Sequence, residues 1–472
     1  MMNKINKSEE YANQKIYWSK RNNYYHNKNN FYLKKHISSD SIVIDINCGN
    51  GDFLSYVNPK VGVGIDQNED LIQEAKKKHN GLEFYNFSIS ELKKYLISNN
   101  IQVDFIILND VVGMLDDCEE YLEKIYEICS PKTRLIISHY SQGWRPLLFL
   151  AGLCRLKMKP PEQNWLTSNA TLNFLKLSNF EVLSKDSKVL IPFKIPFFSN
   201  FVNRFIVHLP LIRKLSLRQY IVARKYLLTP NKDLSVSIVV PCKNEKGNIS
   251  DAISRLPEFG SSQEIIFVEG GSSDGTYEEC IRIRDENFND KNIIVKKQQG
   301  KGKWSAVKTG FEVASGDVLM ILDADLTVPP EMLPRFYEKI ANNSAEFING
   351  TRLVYSIDKG AMQTLNFFAN HVFAKIFSYI LGQNISDTLC GTKVIKKSDY
   401  IRALNKVEEV NFNDPFGDFT LIFGASMLGL KMVDVPIRYK RREYGETQIS
   451  RFKHGLYLLK ISIQGLIKIK FI

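Results

Sequence analysis

Gly316 to Thr327 reads GDVLMILDADLT, and the rest of the chain is arranged around it. Val318 to Leu322 is an unbroken apolar run between a Gly-Asp turn and a carboxylate, the pattern of a strand buried on both faces. It ends in Asp323-Ala324-Asp325, where residues two apart can aim both carboxylates at one spot just past the strand. Such a pair is costly unless a cation sits between, and a hard divalent ion with oxygen ligands suits the position. In parallel α/β sheets the ligand crevice lies outside the carboxyl ends of the strands, so a metal held there is placed to grip a diphosphate. The plainer reading makes Asp325 the cap of a following helix. That helix, however, has its own start at Thr327-Val328-Pro329-Pro330-Glu331, a hydroxyl ahead of two prolines.

At 472 residues the chain is too long for one typical core, and its ordinary apolar content predicts two or three folded domains. The formal charge of +12 comes mostly from dispersed lysines. It favours an anionic partner, phosphates or an acidic membrane surface, and no recognition motif supports nucleic acid. The seven cysteines include no CxxC pair and read as reduced core residues of a cytosolic protein. Met1 to Asn30 has no signal-peptide core, and no stretch of 18 uncharged apolar residues predicts a spanning helix.

Around the central stretch, strands alternate with helices. Ser235 to Val240 is a strand ending in Pro241-Cys242-Lys243-Asn244-Glu245; Glu264 to Val268 is the next, ending in Glu269-Gly270-Gly271-Ser272-Ser273-Asp274-Gly275-Thr276. Asn292 to Val295 leads to the loop Gly300-Lys301-Gly302-Lys303 and a helix over Ser305 to Ala314. Each strand ends in polar residues, which places one composite site along the sheet edge. Lys301 and Lys303 suit an anionic phosphate or are ordinary solvated lysines.

Taken together, these motifs resemble the family 2 glycosyltransferases, most closely the dolichol- and polyprenyl-phosphate sugar transferases, from about Ser235 to Arg451. The resemblance implies a GT-A fold in which Pro241, Glu245, Glu269, Asp274, Lys301 and Asp323 form the nucleotide-sugar pocket, with Asp323 and Asp325 holding Mg or Mn. Gly270 stands where that family has a second acid, and Thr327 where relatives offer a further metal contact. Leu389-Cys390-Gly391-Thr392-Lys393 resembles the acceptor loop. Phe416-Gly417-Asp418-Phe419-Thr420-Leu421 makes Asp418 the candidate catalytic acid-base group, two residues before the position where the acid usually falls. Val433 to Tyr439 reads as an edge strand because it contains Pro436. In Arg441-Arg442-Glu443-Tyr444-Gly445-Glu446-Thr447, which resembles the family's R-x-x-G-x-S/T segment, Arg442 is the candidate phosphate-binding guanidinium.

The first half opens with a Lys/Asn/Tyr-rich lead-in whose Trp18, Tyr24, Tyr25 and Phe31 predict a helix packed on the domain it precedes. Ser41 to Ile44 is a strand, followed by Asp45-Ile46-Asn47-Cys48-Gly49-Asn50-Gly51 and a helical start at Asp52. A second strand, Val61 to Ile65, ends at Asp66, 21 residues after Asp45. Further strands are expected at Leu82 to Tyr85, Val103 to Leu108 and Arg134 to Ser138. Strand, glycine turn, helix, strand and acid is the wiring of a nucleotide-binding sheet.

These residues resemble the class I S-adenosylmethionine-dependent methyltransferases over about residues 15 to 190. The resemblance implies that Gly49 and Gly51 line the methionine part of the cofactor, Asp45 borders it, Asp66 binds the ribose, and Asn109-Asp110 falls at a later cofactor motif. Asn47 replaces that family's first glycine and adds a side chain to the cofactor's path. His139, just past the last of these strands, is a candidate base or a structural histidine.

Gly143 to Lys225 is different in character: apolar segments (PLLFL from Pro146, VLIPFKIP from Val189, then Phe197 to Leu211) punctuated by Arg204, Arg213, Lys214, Arg218 and Arg224. It reads as a subdomain, a lipid-facing surface or a core between domains. The expected plan is α/β throughout, two Rossmann-like domains: a class I methyltransferase fold over 1–190, an apolar, basic connector over 191–234, a GT-A domain over 235–453, and an amphipathic tail over 454–472. The expected function is metal-dependent transfer of a hexose from a nucleotide sugar to a polyprenyl phosphate or surface glycan. Methylation of the glycan by S-adenosylmethionine would accompany it, in the cytoplasm and peripheral on the inner face of the membrane. The alternatives are a protein that is chiefly a methyltransferase of glycan or nucleic acid, and a non-catalytic scaffold.

Overall fold

The computed structural model describes residues 8–158, 163–226, 230, 233–287, 290–354, 364–412, 414, 417–442, 444 and 451–471, the side chains of 364–368 and 451–454 excepted. The chain divides into two compact units, one of Met1–Tyr226 with Phe471–Ile472 and one of Leu227–Lys470.

The first unit is built on seven strands: β1 (Ile42–Ile46), β2 (Val61–Ile65), β3 (Glu83–Tyr85), β4 (Phe105–Asn109), β5 (Arg134–Tyr140), β6 (Phe180–Lys188) and β7 (Arg218–Lys225). They lie in the order β3-β2-β1-β4-β5-β7-β6. The first five run parallel, and β7 is antiparallel to both β5 and β6. Helices connect the parallel strands, so the apolar strands are covered on both faces and read as near-continuous Ile, Val and Leu.

Two sequence expectations change here. The stretch read as a connector from residue 191 contains β7, which is hydrogen-bonded into the sheet between β5 and β6. Its flanking arginines look like solvated charge in the sequence, yet both are buried and paired, Arg218 with Asp110 and Arg224 with Glu181 at 3.0 Å. His139 lies inside β5, not beyond a strand's end, and is buried.

The second unit carries β8 (Val236–Cys242), β9 (Gln263–Glu269), β10 (Asn292–Lys297), β11 (Val318–Ile321), β12 (Phe347–Thr351), β13 (Lys393–Lys396) and β14 (Met432–Pro436), in the order β10-β9-β8-β11-β13-β12-β14. The motif strand β11 sits at the centre, fully buried, parallel to β8 and antiparallel to β13. β14 is an edge strand whose last residue is Pro436, where the missing N–H costs no ladder bond. The tail helix Arg451–Gly465 and the turn Leu466–Lys470 bury Leu458, Ile461 and Ile469 in the core shared with Phe377 and Phe423. Leu456, Leu459, Ile463 and Ile467, at helical spacing, stay exposed. The tail therefore packs on its unit and keeps a second apolar face. Among the described residues no helix is long and apolar enough to cross a membrane.

Candidate functional sites at the carboxyl ends of two sheets

At the carboxyl ends of four parallel strands the chain turns through a non-glycine residue in the left-handed region: Asn47 after β1, Asp110 after β4, Asn244 after β8 and Leu326 past β11. Leucine gains nothing locally from φ 51°, so the Asp325-Leu326-Thr327 turn is imposed by its surroundings, the kind of strain that collects at functional sites.

In the second unit, the loops after β8 and β9 are laced together. Asn244 N–H donates to the Ser272 hydroxyl at 3.0 Å, Ser273 N–H donates to the Asn244 side chain at 2.9 Å, and Gly270 N–H donates to the Cys242 carbonyl at 2.9 Å. Asp274 accepts from the Thr276 hydroxyl at 2.5 Å, from Thr276 N–H at 3.0 Å and from Lys246 N–H at 3.2 Å. Burial opposes its charge, but these donors hold its carboxyl below the usual range. Glu269 is buried and accepts Ser272 N–H at 2.5 Å. Both acids thus shape the loops they stand on. A Cβ at Gly270 would press on Gln298, so a larger residue there would have to displace that amide.

Arg442 clamps the β8 and β11 ends. One guanidinium nitrogen lies 2.6 Å from Asp325 and another 3.3 Å from Glu245. Burial pushes the Glu245 carboxyl up to about 7 despite that arginine. The other oxygen of Asp325 accepts the Thr327 hydroxyl at 2.8 Å and its N–H at 3.2 Å. Thr327 therefore closes a turn on Asp325 and does not start the helix Leu333–Ala341, which is preceded by the 3-10 turn Pro330–Met332.

Asp323 is held by Lys303, 2.5 Å away, while Lys301 stays exposed on the same loop. Burial opposes the charge of Asp323, yet Lys303 keeps its carboxyl below the usual range; Lys303 is in turn raised by Asp323, then Asp418. Gly391 faces this pair so closely that a Cβ would overlap both groups. Asp418 opens the helix Asp418–Met427 and pairs with the buried Lys393 at 3.1 Å. It is brought to Lys303 because Gly417, at φ 78°, lets the Trp304 indole lie against the backbone. The loop bearing Gly391 is anchored by Asp387, fully buried, which takes two guanidinium bonds from Arg352 at 2.7 and 2.9 Å. Asp323, Asp325, Glu245, Asp418 and Arg442 thus meet at one sheet edge. Lys303, Lys393 and Arg352 join them, and the loop lysine that enters the site is Lys303 in place of Lys301. Phe416, Glu443 and Gly445 to Thr447 lie outside the described residues.

In the first unit, Asp66 joins the end of β2 to the glycine turn: it accepts Gly49 N–H at 2.9 Å and Asn68 N–H at 2.9 Å. Asn47 takes φ 65° and Gly49 φ 59°, so asparagine, which tolerates this region, preserves the turn that a glycine would make. A Cβ at Gly51, φ 76°, would meet the Phe84 ring. Asp45 is the fourth residue of β1; burial pushes its carboxyl up to about 8, against the pull of Lys15, and Asp66 adds to the rise. Lys15, from the helix Glu9–Arg21, reaches this cradle: its ammonium is 3.7 Å from Asp66, buried and, among the described residues, without a hydrogen-bond partner. Nothing in the sequence marks Lys15 beyond its place in the lead-in helix.

The Asn109 side chain is engaged within the protein. Its side-chain oxygen accepts Ser138 Oγ–H at 2.7 Å, Arg218 at 2.8 Å and Asn29 at 3.1 Å, which ties β4, β5 and β7 together from within. His139 shares its ring nitrogens with the Tyr140 carbonyl at 3.0 Å and Thr171 at 3.5 Å, and burial lowers its pKa. The strand placement and these partners give His139 a structural setting.

The architecture defines two α/β units, each gathering acids and a positive-φ turn at the carboxyl edge of its sheet. Residues 237–403 match Glycosyl transferase family 2, and residues 37–177 match a methyltransferase domain. The chain therefore carries a methyltransferase domain followed by a family 2 glycosyltransferase domain. It is 29% identical over 232 residues to dolichol-phosphate mannosyltransferase of Pyrococcus furiosus, covering 46% of this chain and 59% of that protein. It is 36% identical over 124 residues to dolichol-phosphate mannosyltransferase of Saccharomyces cerevisiae, covering 25% and 45%. Undecaprenyl-phosphate 4-deoxy-4-formamido-L-arabinose transferase of Edwardsiella ictaluri is 26% identical over 222 residues, covering 46% and 64%. The chain thus spans between 45% and 64% of the length of these relatives.

Proposed function

We propose that the second unit moves a hexose from a nucleoside diphosphate sugar to a polyprenyl phosphate or a surface glycan. The observation that carries this reading is the convergence of Asp323, Asp325, Lys303, Arg442 and Asp418 at one sheet edge. The acceptor oxygen forms a bond to the anomeric carbon as the bond from that carbon to the diphosphate breaks. Arg442 and Lys303 are cations placed where the leaving diphosphate gathers charge. Asp418 orients the acceptor, taking its proton where the acceptor is a hydroxyl; a phosphate acceptor needs no base.

The donor set suits Mg or Mn. Asp323 and Asp325 each already attract a cation, and among the described residues no group of three or more His, Cys, Asp or Glu forms a closed cage. Two carboxylates with substrate oxygens completing the shell is how Mg is usually held at phosphates. Asp323 and Asp325 would hold the ion, which when bound neutralises charge on the diphosphate.

The first unit binds S-adenosylmethionine in the cradle of Asp45, Gly49, Gly51 and Asp66, and methylates the same glycan. Support comes from the glycine-lined turn, which Asp66 closes by accepting Gly49 N–H, with Asp45 and the Lys15 ammonium beside it. The dolichol and undecaprenyl phosphates in the names of these relatives support a site of action at a membrane. The exposed face of the tail helix, with Lys460 beside it, is the proposed contact there.

The test is thermal-shift and hydrolysis profiling of a nucleotide-sugar panel with Mn, with Mg and with chelator. One donor stabilising the chain only with metal, and losing that effect in Asp325→Asn, supports the reading. A response to S-adenosylmethionine beside no donor response under any condition reverses it in favour of a methyltransferase. Methyl transfer confined to non-glycan acceptors would remove the proposed coupling.

A further inference from the structure

We infer that the first unit has its own docking face for an anionic lipid bilayer, built from residues 143–158 and 189–217. This surface is independent of the glycosyl-transfer reading and of the tail helix.

Nearly half of the large apolar side chains exposed among the described residues fall in these two segments, including Phe149 at 62%, Leu153 at 60%, Phe197 at 93% and Leu211 at 79%. Scattered exposed leucines are ordinary; a concentration of this size on one unit marks an interaction surface. The segments adjoin, since the Trp144 indole N–H donates to the Leu215 carbonyl at 2.7 Å, and the second segment closes on itself, Leu217 N–H donating to the Val189 carbonyl at 2.7 Å.

The face is built, not a loose loop. Asn203, fully buried, accepts Leu190 N–H at 2.8 Å and Ile191 N–H at 3.0 Å, and donates to the Ile191 carbonyl at 2.7 Å. Ser199 accepts Ile195 N–H at 2.8 Å and donates to the Phe193 carbonyl at 2.7 Å. This framework holds Phe197 at φ 61°, a region a bulky aromatic avoids, with its ring projected almost wholly into solvent. An outlier that exposes a phenylalanine is explained when the ring has an apolar destination.

Charge selects the occupant. Neither segment contains a single Asp or Glu, while Arg145, Arg155, Lys194, Arg204 and Lys214 are exposed along them. Arg213 is already paired with Asp186, at 3.3 Å. Aromatic and leucine side chains set among these exposed cations fit the acyl-headgroup boundary of an anionic leaflet. A second copy of this chain would set the same cations against each other.

Co-sedimentation of the full chain with vesicles decides the matter, comparing phosphatidylcholine alone with equal parts phosphatidylcholine and phosphatidylglycerol. The chain is expected to bind the mixed vesicles about tenfold more tightly, and less as salt rises. Phe197→Asp with Leu211→Asp is expected to weaken that binding about tenfold with an unchanged circular dichroism spectrum. Lys194→Glu with Lys214→Glu, which touches only exposed charge, is expected to weaken it too and keeps the test sound if the first pair misfolds. Leu456→Asp with Leu459→Asp in the tail helix separates the two surfaces. Binding lost only in the tail variant, or absent from the start, overturns the inference. So does concentration-dependent self-association that Phe197→Asp disperses without any effect on vesicles.

Discussion

The Lys303 ammonium lies 2.5 Å from the Asp323 carboxylate, and Gly391 borders both with no side chain of its own. The loop Gly300-Lys301-Gly302-Lys303 therefore commits one of its two lysines to the site and leaves the other in solvent. Lys303→Gln is expected to lower donor turnover by about 100-fold, the scale of losing one preorganised charge partner for a leaving oxyanion. Lys301→Gln is expected to stay within about twofold, since a solvated lysine contributes little. Steady-state kinetics with the donor identified by thermal shift checks both; equal losses would mean that the loop rearranges on donor binding.

Gly391→Ala offers a test that adds no charge. A methyl group would overlap the Asp323 carboxylate and the Lys303 ammonium, so the pair has to separate. The expected outcome is a loss of transfer comparable to that of Lys303→Gln, with about 1–3 kcal/mol of stability lost by overpacking. Full activity in the alanine variant would show that the pair does not persist in the working enzyme.

Much of this site was legible from the chain, and the reasons differ by residue. Asp323 and Asp325 announce themselves because a buried apolar strand must end where its polar residues begin, and β11 does so at the centre of the sheet. Glu245, Asp274 and Arg442 are legible from motif order. Lys303 was not separable from Lys301, because both stand on one glycine loop and only the folded chain brings Lys303 against Asp323. Strand β7 was hidden for a related reason: Arg218 and Arg224 look solvated until their partners Asp110 and Glu181 are placed. Lys15 carries no local signal; only the folded lead-in helix brings it to Asp66.

Arg442→Lys is expected to raise the apparent KM for the donor about tenfold, because an ammonium cannot span Asp325 and Glu245 as the guanidinium fork does. Kinetics on the purified variant, with melting temperature as a control for folding, measures it. An unchanged KM would relegate Arg442 to holding the loop.

Arg352→Ala strikes the buried anchor beneath the loop that bears Gly391. Removing one partner of a buried pair leaves Asp387 charged and unmatched, which typically costs about 3–5 kcal/mol. Denaturant unfolding monitored on the full chain is expected to show that loss in one transition and not in any other. A loss below about 1 kcal/mol would mean that water or another cation replaces the guanidinium, the value ordinary for an exposed pair.

The acidic cradle of the first unit makes the remaining prediction, and its sign follows from Asp45. In the unfolded chain an aspartate gives up its proton at about pH 4. In the folded chain burial outweighs the neighbouring Lys15 ammonium and keeps the proton on Asp45 up to about 8. Between those values the folded form holds the extra proton, so stability falls as pH rises across the window, and the penalty is complete only above about pH 8. Asp45→Asn removes the ionisation. The variant is therefore expected to match the parent at the acid end of the window and to melt progressively higher than it as pH rises towards 8. In the parent, Lys15→Met takes away the cation that pulls against burial at this carboxylate, raises its folded pKa further, and is expected to extend the decline to higher pH without changing its slope. On the proposed function, S-adenosylmethionine would bring a cation to the same cradle and favour the ionised carboxylate, so its binding is expected to tighten over the same window in the parent and not in Asp45→Asn. Isothermal titration across that range, beside the melting curves, separates a cradle that works through Asp45 from one in which the carboxylate is a bystander. Parallel melting curves for parent and variant would reject the buried, protonated aspartate and with it the reason for the pH-dependent affinity.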